Sequence, residues 1–160
     1  MKRIFLMTAL FFTTLIVLQS CSPKTTNGAV ALKKGNVTGN WVLNNITFDG
    51  IPEIAVKSFL GENSYKCFVG STWNFVSNNN KGDVTLSKSG CANFTSPITW
   101  YVNTEGNFVM KVLNADEKAK KVLTGYILKV ANQTENSFQL VDRINVGGTL
   151  TDVVYQFIKQ

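Results

Sequence analysis

The chain contains no histidine. That absence removes the usual general base, the commonest metal ligand and the side chain that titrates near neutral pH. A Ser–His or Cys–His nucleophile is excluded, and a zinc site would lack its imidazole ligands. Charge is also sparse: Asp, Glu, Lys and Arg make up 16% of 160 residues, low for a helical protein. The carboxylates Asp49, Glu53, Asp83, Asp142 and Asp152 are scattered, with no spacing that argues an acid/base pair. No enzyme, metal or cofactor is expected. The formal charge of +6 sits on dispersed lysines, apart from Lys118, Lys120 and Lys121. This pattern reads as a solvated surface and not as a nucleic-acid site. What is plentiful is aromatic: eleven Phe, four Tyr and three Trp.

The length allows one domain after a leader. Met1-Lys2-Arg3 is basic, and Ile4 to Leu18 is a nearly unbroken apolar run of signal-peptide length. It is too short for a comfortable membrane span of ~20 residues. The run ends in Leu18-Gln19-Ser20-Cys21, which resembles the lipobox of bacterial lipoproteins, although Gln19 is bulkier than usual at its place. The resemblance implies that residues 1–20 are cleaved and that Cys21 becomes the acylated first residue. Three acyl chains exceed the two signals that stable membrane anchoring needs. A plain secretory peptide with an incidental cysteine is the competing reading. Losing Lys2 and Arg3 would leave a net charge of +4. Residues 21–36, opening Ser22-Pro23-Lys24-Thr25-Thr26-Asn27-Gly28, suit a flexible tether. Ser22 stands where Asp often marks inner-membrane retention, so the resemblance points to the outer membrane. No acidic cluster follows to suggest surface display, and a periplasm-facing domain is expected.

From residue 37 to the end the hydrophobic period is mostly two, the mark of half-buried strands. The first strand runs from Trp41 to Phe48 and stops at the turn Asp49-Gly50-Ile51-Pro52. Glu53 to Tyr65 lacks alternation and suits a short helix or folded loop. Trp73 and Phe75 then share one face, Ser77 to Gly82 turns the chain, and Val84 and Leu86 return. Ile98, Trp100 and Val102 form the next inward set, and Phe108, Met110 and Val112 the fifth. Asn114 to Lys121 is a charged connection. Val122 to Val130 makes a sixth strand, with Gly125 marking a bend or bulge. Phe138, Leu140 and Asp142 share a face of the seventh, and Asn145-Val146-Gly147-Gly148 turns into the eighth, Thr149 to Ile158. Eight hairpin-linked strands predict an all-β, antiparallel up-and-down barrel enclosing a small interior. A β-sandwich is the structural rival.

Gly39-Asn40-Trp41 at the head of the first strand resembles the Gly-x-Trp signature of lipocalins. The stretch 37–160 as a whole is similar to the small lipocalin-like domains found on bacterial lipoproteins. In that family the glycine turns the chain into the strand and the tryptophan plugs the closed end. A late arginine commonly stacks across that tryptophan. Arg143 is the only arginine after the leader, so either it stacks on Trp41 or it lies exposed near a turn. Thr151-Asp152-Val153-Val154-Tyr155 also spells the Thr-Asp-x-x-Tyr of the second lipocalin motif. In the family that motif precedes further strands and a helix, whereas here it falls in the last strand, and it is read as coincidence.

Beyond Cys21 two cysteines remain, Cys67 and Cys91. An even pair in an oxidising compartment reads as a disulfide, tying the first loop to the loop between the third and fourth strands. A reactive or metal-binding thiol pair would need further ligands and a base that the sequence does not offer. Two functions remain open. In one, a monomeric barrel is a module for a small hydrophobic ligand such as a lipid or fatty acid, lined by Trp73, Phe75, Trp100, Phe108, Met110 and Phe138. Alternatively these residues simply fill the core, and the protein is a structural or protein-interaction lipoprotein of the envelope.

Overall fold

The computed structural model describes residues 34–50, 64–113 and 125–160. The leader, Cys21, the tether up to residue 33, most of the expected folded loop before Tyr65, the connection 114–121 and residues 122–124 lie outside them. Eight strands make up the fold: β1 (Gly39–Phe48), β2 (Thr72–Val76), β3 (Lys81–Leu86), β4 (Phe94–Val102), β5 (Phe108–Val112), β6 (Tyr126–Ala131), β7 (Ser137–Val146) and β8 (Thr149–Lys159). Each pairs antiparallel with its successor, and β8 returns to β1, so the sheet is a closed barrel. Closure leaves no unpaired edge. The sandwich is excluded.

Period-two patterning produces this wall. Along β8, Thr151, Val153, Tyr155 and Phe157 are buried while Asp152, Val154 and Gln156 are less so. Along β2, Trp73 and Phe75 are buried between less buried neighbours. The alternating apolar set from every strand converges on one interior core.

Two glycines are needed for the geometry. Gly39 has φ +121°, a conformation that L side chains rarely adopt, so the glycine of Gly39-Asn40-Trp41 is a backbone requirement. Gly82 lies opposite Phe75, and a Cβ there would come within 2.1 Å of the Asn74 carbonyl oxygen. Any side chain would force β3 away from β2.

Two local features differ from the sequence reading. The irregularity in the ladder is in β1, where pairing with β8 shifts between Leu43 and Asn45. This bulge puts both Leu43 and Ile46 into the core despite their odd spacing. Gly125 instead lies just ahead of β6, 3.6 Å from the Lys111 side chain as judged from a Cβ position. In addition Lys34–Val37 forms a short 3-10 turn with Val37 fully buried, so ordered structure begins within the stretch expected to be tether.

Candidate functional site: a barrel with two unlike ends

The register divides the interior into two ends. Gly39, Phe75, Gly82, Phe108, Ser137 and Lys159 lie at or near the strand ends on one side, called here the Trp41 end. Phe48, Leu86, Phe94, Val112 and Tyr126 mark the opposite side, the Cys67 end.

The Trp41 end is filled by rings. Phe75 is at the centre, with centroids 5.5 Å from Trp100, 5.5 Å from Phe108, and 6.4 Å from both Phe138 and Phe157. Trp73 lies 6.1 Å from Phe75 and 5.6 Å from Phe157. Phe138 stacks on Phe157 at 4.7 Å and takes the edge of Trp41 at 4.7 Å. Such offset and edge-to-face contacts each contribute ~0.5–1.5 kcal/mol beyond area burial. Every indole N–H is satisfied: Trp41 donates to the Val37 carbonyl, Trp73 to Ser71 Oγ and Trp100 to the Lys81 carbonyl. Lys159 lies over the Trp41 ring at 5.9 Å and Lys34 over Trp100 at 5.7 Å.

The six residues expected to line the interior are therefore all inside. Trp73, Phe75, Trp100, Phe108 and Phe138 join one aromatic plug, and buried Met110 lies above it, opposite Trp100 and Tyr126. They close one end of the barrel by packing on one another.

Arg143 does not stack on Trp41. It lies six positions along β7 from Ser137, toward the Cys67 end, and its exposed guanidinium binds Asp152 through Nε (2.6 Å) and Nη2 (2.8 Å). The cation over Trp41 is Lys159, which register places directly opposite it. Asp152 of the Thr-Asp-x-x-Tyr string thereby has an outer-wall role, and Tyr155 an inner one. Hydrogen bonding from Arg143 holds the Asp152 carboxyl below its ordinary range.

The Cys67 end is lined differently. Phe48, Val69, Phe94, Val112, Tyr126 and Ile144 pack against the core yet stay partly exposed. Phe48 meets Tyr65 edge-on at 4.8 Å. A disulfide joins Cys67, in the 3-10 turn Tyr65–Cys67 before β2, to Cys91 in the β3–β4 loop. Lys88 Nζ adds a bond to the Lys66 carbonyl. The expected bridge is present, and it fixes one side of this rim.

One charged residue faces inward here. Asp142 shares the inner face of β7 with Phe138, Leu140 and Ile144, opposite Val153, which in turn pairs with Phe48. Burial pushes its carboxyl above the ordinary range. The Tyr155 phenol is also pushed up, first by burial, then by the charges of Asp142 and Tyr126. Among the described residues no group of three or more His, Cys, Asp or Glu side chains could hold a metal ion.

Several solved structures are similar to the chain, among them the following three. Bovine odorant-binding protein in complex with a selenium-containing odorant is 12% identical, with a TM-score of 0.47 over 82% of this chain and 74% of that one. Odorant Binding Protein OBP1 is 14% identical, with a TM-score of 0.46 over 82% and 76%. Bovine odorant-binding protein complexed with its natural ligand is 12% identical, with a TM-score of 0.45 over the same shares. No protein-family model matches the chain, and no curated protein matches it. The eight-stranded antiparallel closed barrel expected from the sequence is present in the chain's own strand register.

Proposed function

We propose that the chain is a membrane-anchored lipoprotein of the bacterial envelope whose barrel holds a small hydrophobic ligand at the Cys67 end. The observation that carries this reading is the asymmetry of the interior. One end is closed by interlocked aromatic rings, while the other is ringed by partly exposed apolar side chains and pinned by the Cys67–Cys91 bridge. Ligand sites in small barrels are concave, mostly apolar and fixed by a few polar groups. The leader and Cys21 support an outer-membrane anchor through acyl chains, with the barrel facing the periplasm. The folded unit would work as a monomer.

A second reading keeps the anchor but replaces the ligand by a protein partner. It is favoured by the outer wall, where Tyr101 and Ile127 stand exposed on either side of the buried Val109 in one register row across β4, β5 and β6. Tyr101 is 48% and Ile127 65% exposed.

Native mass spectrometry separates the two. The mature chain with Cys21→Ala, released into the periplasm and purified, is weighed intact and after denaturation. A small-molecule adduct that disappears on denaturation supports the ligand reading. An adduct-free protein whose tryptophan fluorescence ignores added alkyl-chain compounds moves the function to the outer wall.

A further inference from the structure

We propose that the Cys67 end of the barrel selects amphiphiles carrying a protonated amine, with Asp142, beside Tyr155, as the group that receives it. The inference rests on the ligand-binding reading above and narrows it to a chemical class.

Placement comes first. Asp142 occupies an inner position of β7 in a series whose other members are Phe138, Leu140 and Ile144. Across β8 it faces Val153, 1% exposed, and the adjoining inner pair is Leu140 with Tyr155. On the other side the β6 register continues to buried Leu128 across from Asp142, with Tyr126 two residues further toward the rim, packed against the core. The remaining described carboxylates differ: Asp49, Asp83, Glu105 and Glu135 are exposed, and Asp152 is paired with Arg143 on the outer wall. Asp142 is the single described carboxylate that the barrel turns toward its lumen.

Among the described residues Asp142 makes no hydrogen bond and no ion pair; on β8 the Tyr155 phenol lies close enough to feel its charge, and the β6 register continues from Lys129–Val141 to put Leu128 across from it, with Tyr126 further toward the rim. Burial disfavours its charged form with no opposing interaction. A Leu or Ile would suit the position better, as at Leu140 and Ile144, so the carboxylate costs stability where it stands.

A ligand can offset that cost only with the complementary charge. An ammonium head placed beside Asp142 forms a charge-assisted bond in a partly dehydrated site, while its alkyl body lies along the apolar rim. An alkanoate of the same length would bring a second negative charge beside the first, and like charges in such a site repel. The pH dependence has a fixed sign. The amine binds the ionised carboxylate, so its affinity is full above the raised pKa of Asp142 and falls as pH drops through it.

Dodecylammonium, 1-dodecanol and dodecanoate test the proposal. Each is titrated below its aggregation concentration into the mature Cys21→Ala chain at about pH 7.5, followed by calorimetry. Dodecylammonium is expected to bind at least about tenfold more tightly than dodecanoate, with dodecanol between them. In Asp142→Asn the ratio should fall to about twofold, with the amine weakened and the alkanoate strengthened. Lowering the wild type to about pH 4 should weaken the amine and leave dodecanol unchanged, which keeps the test open if the variant does not fold. Dodecanoate binding as tightly as the amine overturns the proposal, as does an unchanged ratio in the Asn variant or a pH-independent amine affinity. If dodecanol binds without any amine preference, only the ligand class is wrong. If none of the three binds, the ligand reading fails and this inference fails with it.

Discussion

Arg143 and Asp152 hold each other in a two-point ion pair across the β7–β8 ladder, on the outer wall and away from Trp41. The lipocalin resemblance suggested a cation stacked on Trp41, and a lysine from the last strand supplies it instead. Exposed pairs of this kind contribute little, because water and salt screen them and two side chains must be ordered. Arg143→Ala should therefore shift the melting temperature by no more than about 2 °C. Differential scanning calorimetry checks this, and a large loss would mean that Arg143 supports the core.

Phe75 should be the most sensitive position of the plug, since four further rings converge on it besides Trp73. Phe75→Ala should cost ~3–5 kcal/mol, and Phe75→Leu clearly less, because truncation removes transfer energy and leaves a cavity. Urea denaturation followed by circular dichroism measures both.

Asp142→Asn should raise stability at neutral pH. The native carboxyl has a raised pKa, so the folded state holds its proton more tightly than the unfolded chain does. The penalty is absent below the ordinary carboxylate range and fully present above the raised value. The variant should melt about 2 °C above the wild type at pH 7, the scale expected for a partly hydrated group. The gap should close as pH falls toward 4, which melting curves across a pH series would show. A variant less stable than the wild type at neutral pH would point to an interaction of Asp142 beyond burial.

Cutting the Cys67–Cys91 bridge acts on both stability and the rim. The bond spans 24 residues, and loop-closure entropy puts its contribution at ~3 kcal/mol before any strain. Cys67→Ser with Cys91→Ser should lower the urea midpoint by a corresponding amount. The same variant should bind an alkyl probe more weakly than the wild type at equal folded fraction, because the rim loses its tie.

The strand count, the closure and the turn into β1 were legible because each rests on local signals: period two, hairpin-length turns and a glycine, Gly39, at a position of positive φ. The disulfide was legible from cysteine arithmetic. The interior residues were legible as a set, yet their division was not. Alternation says that Phe75, Trp100 and Phe138 point inward, but only cross-strand register places them at one end and Phe94, Val112 and Ile144 at the other. The β1 bulge hid for a related reason, since one extra residue breaks the period locally while preserving both inner faces. Asp142 was visible on an inner face of its strand. Its neighbours Leu128, Val153 and Tyr155 come from two other strands, so the site appears only once the barrel is closed.

A barrel plugged at Trp41 that holds ligand at the Cys67 end should respond to an alkyl probe at one end alone. The most direct measurement is a methyl NMR titration of the isotope-labelled mature chain with 1-dodecanol. Saturable shifts are predicted at Ile46, Val112, Ile144 and Val153, with Val37, Val102 and Val130 unmoved. Shifts confined to the outer-wall methyls of Ile127 and Ile158, or saturable shifts confined to Val37, Val102 and Val130, would contradict it.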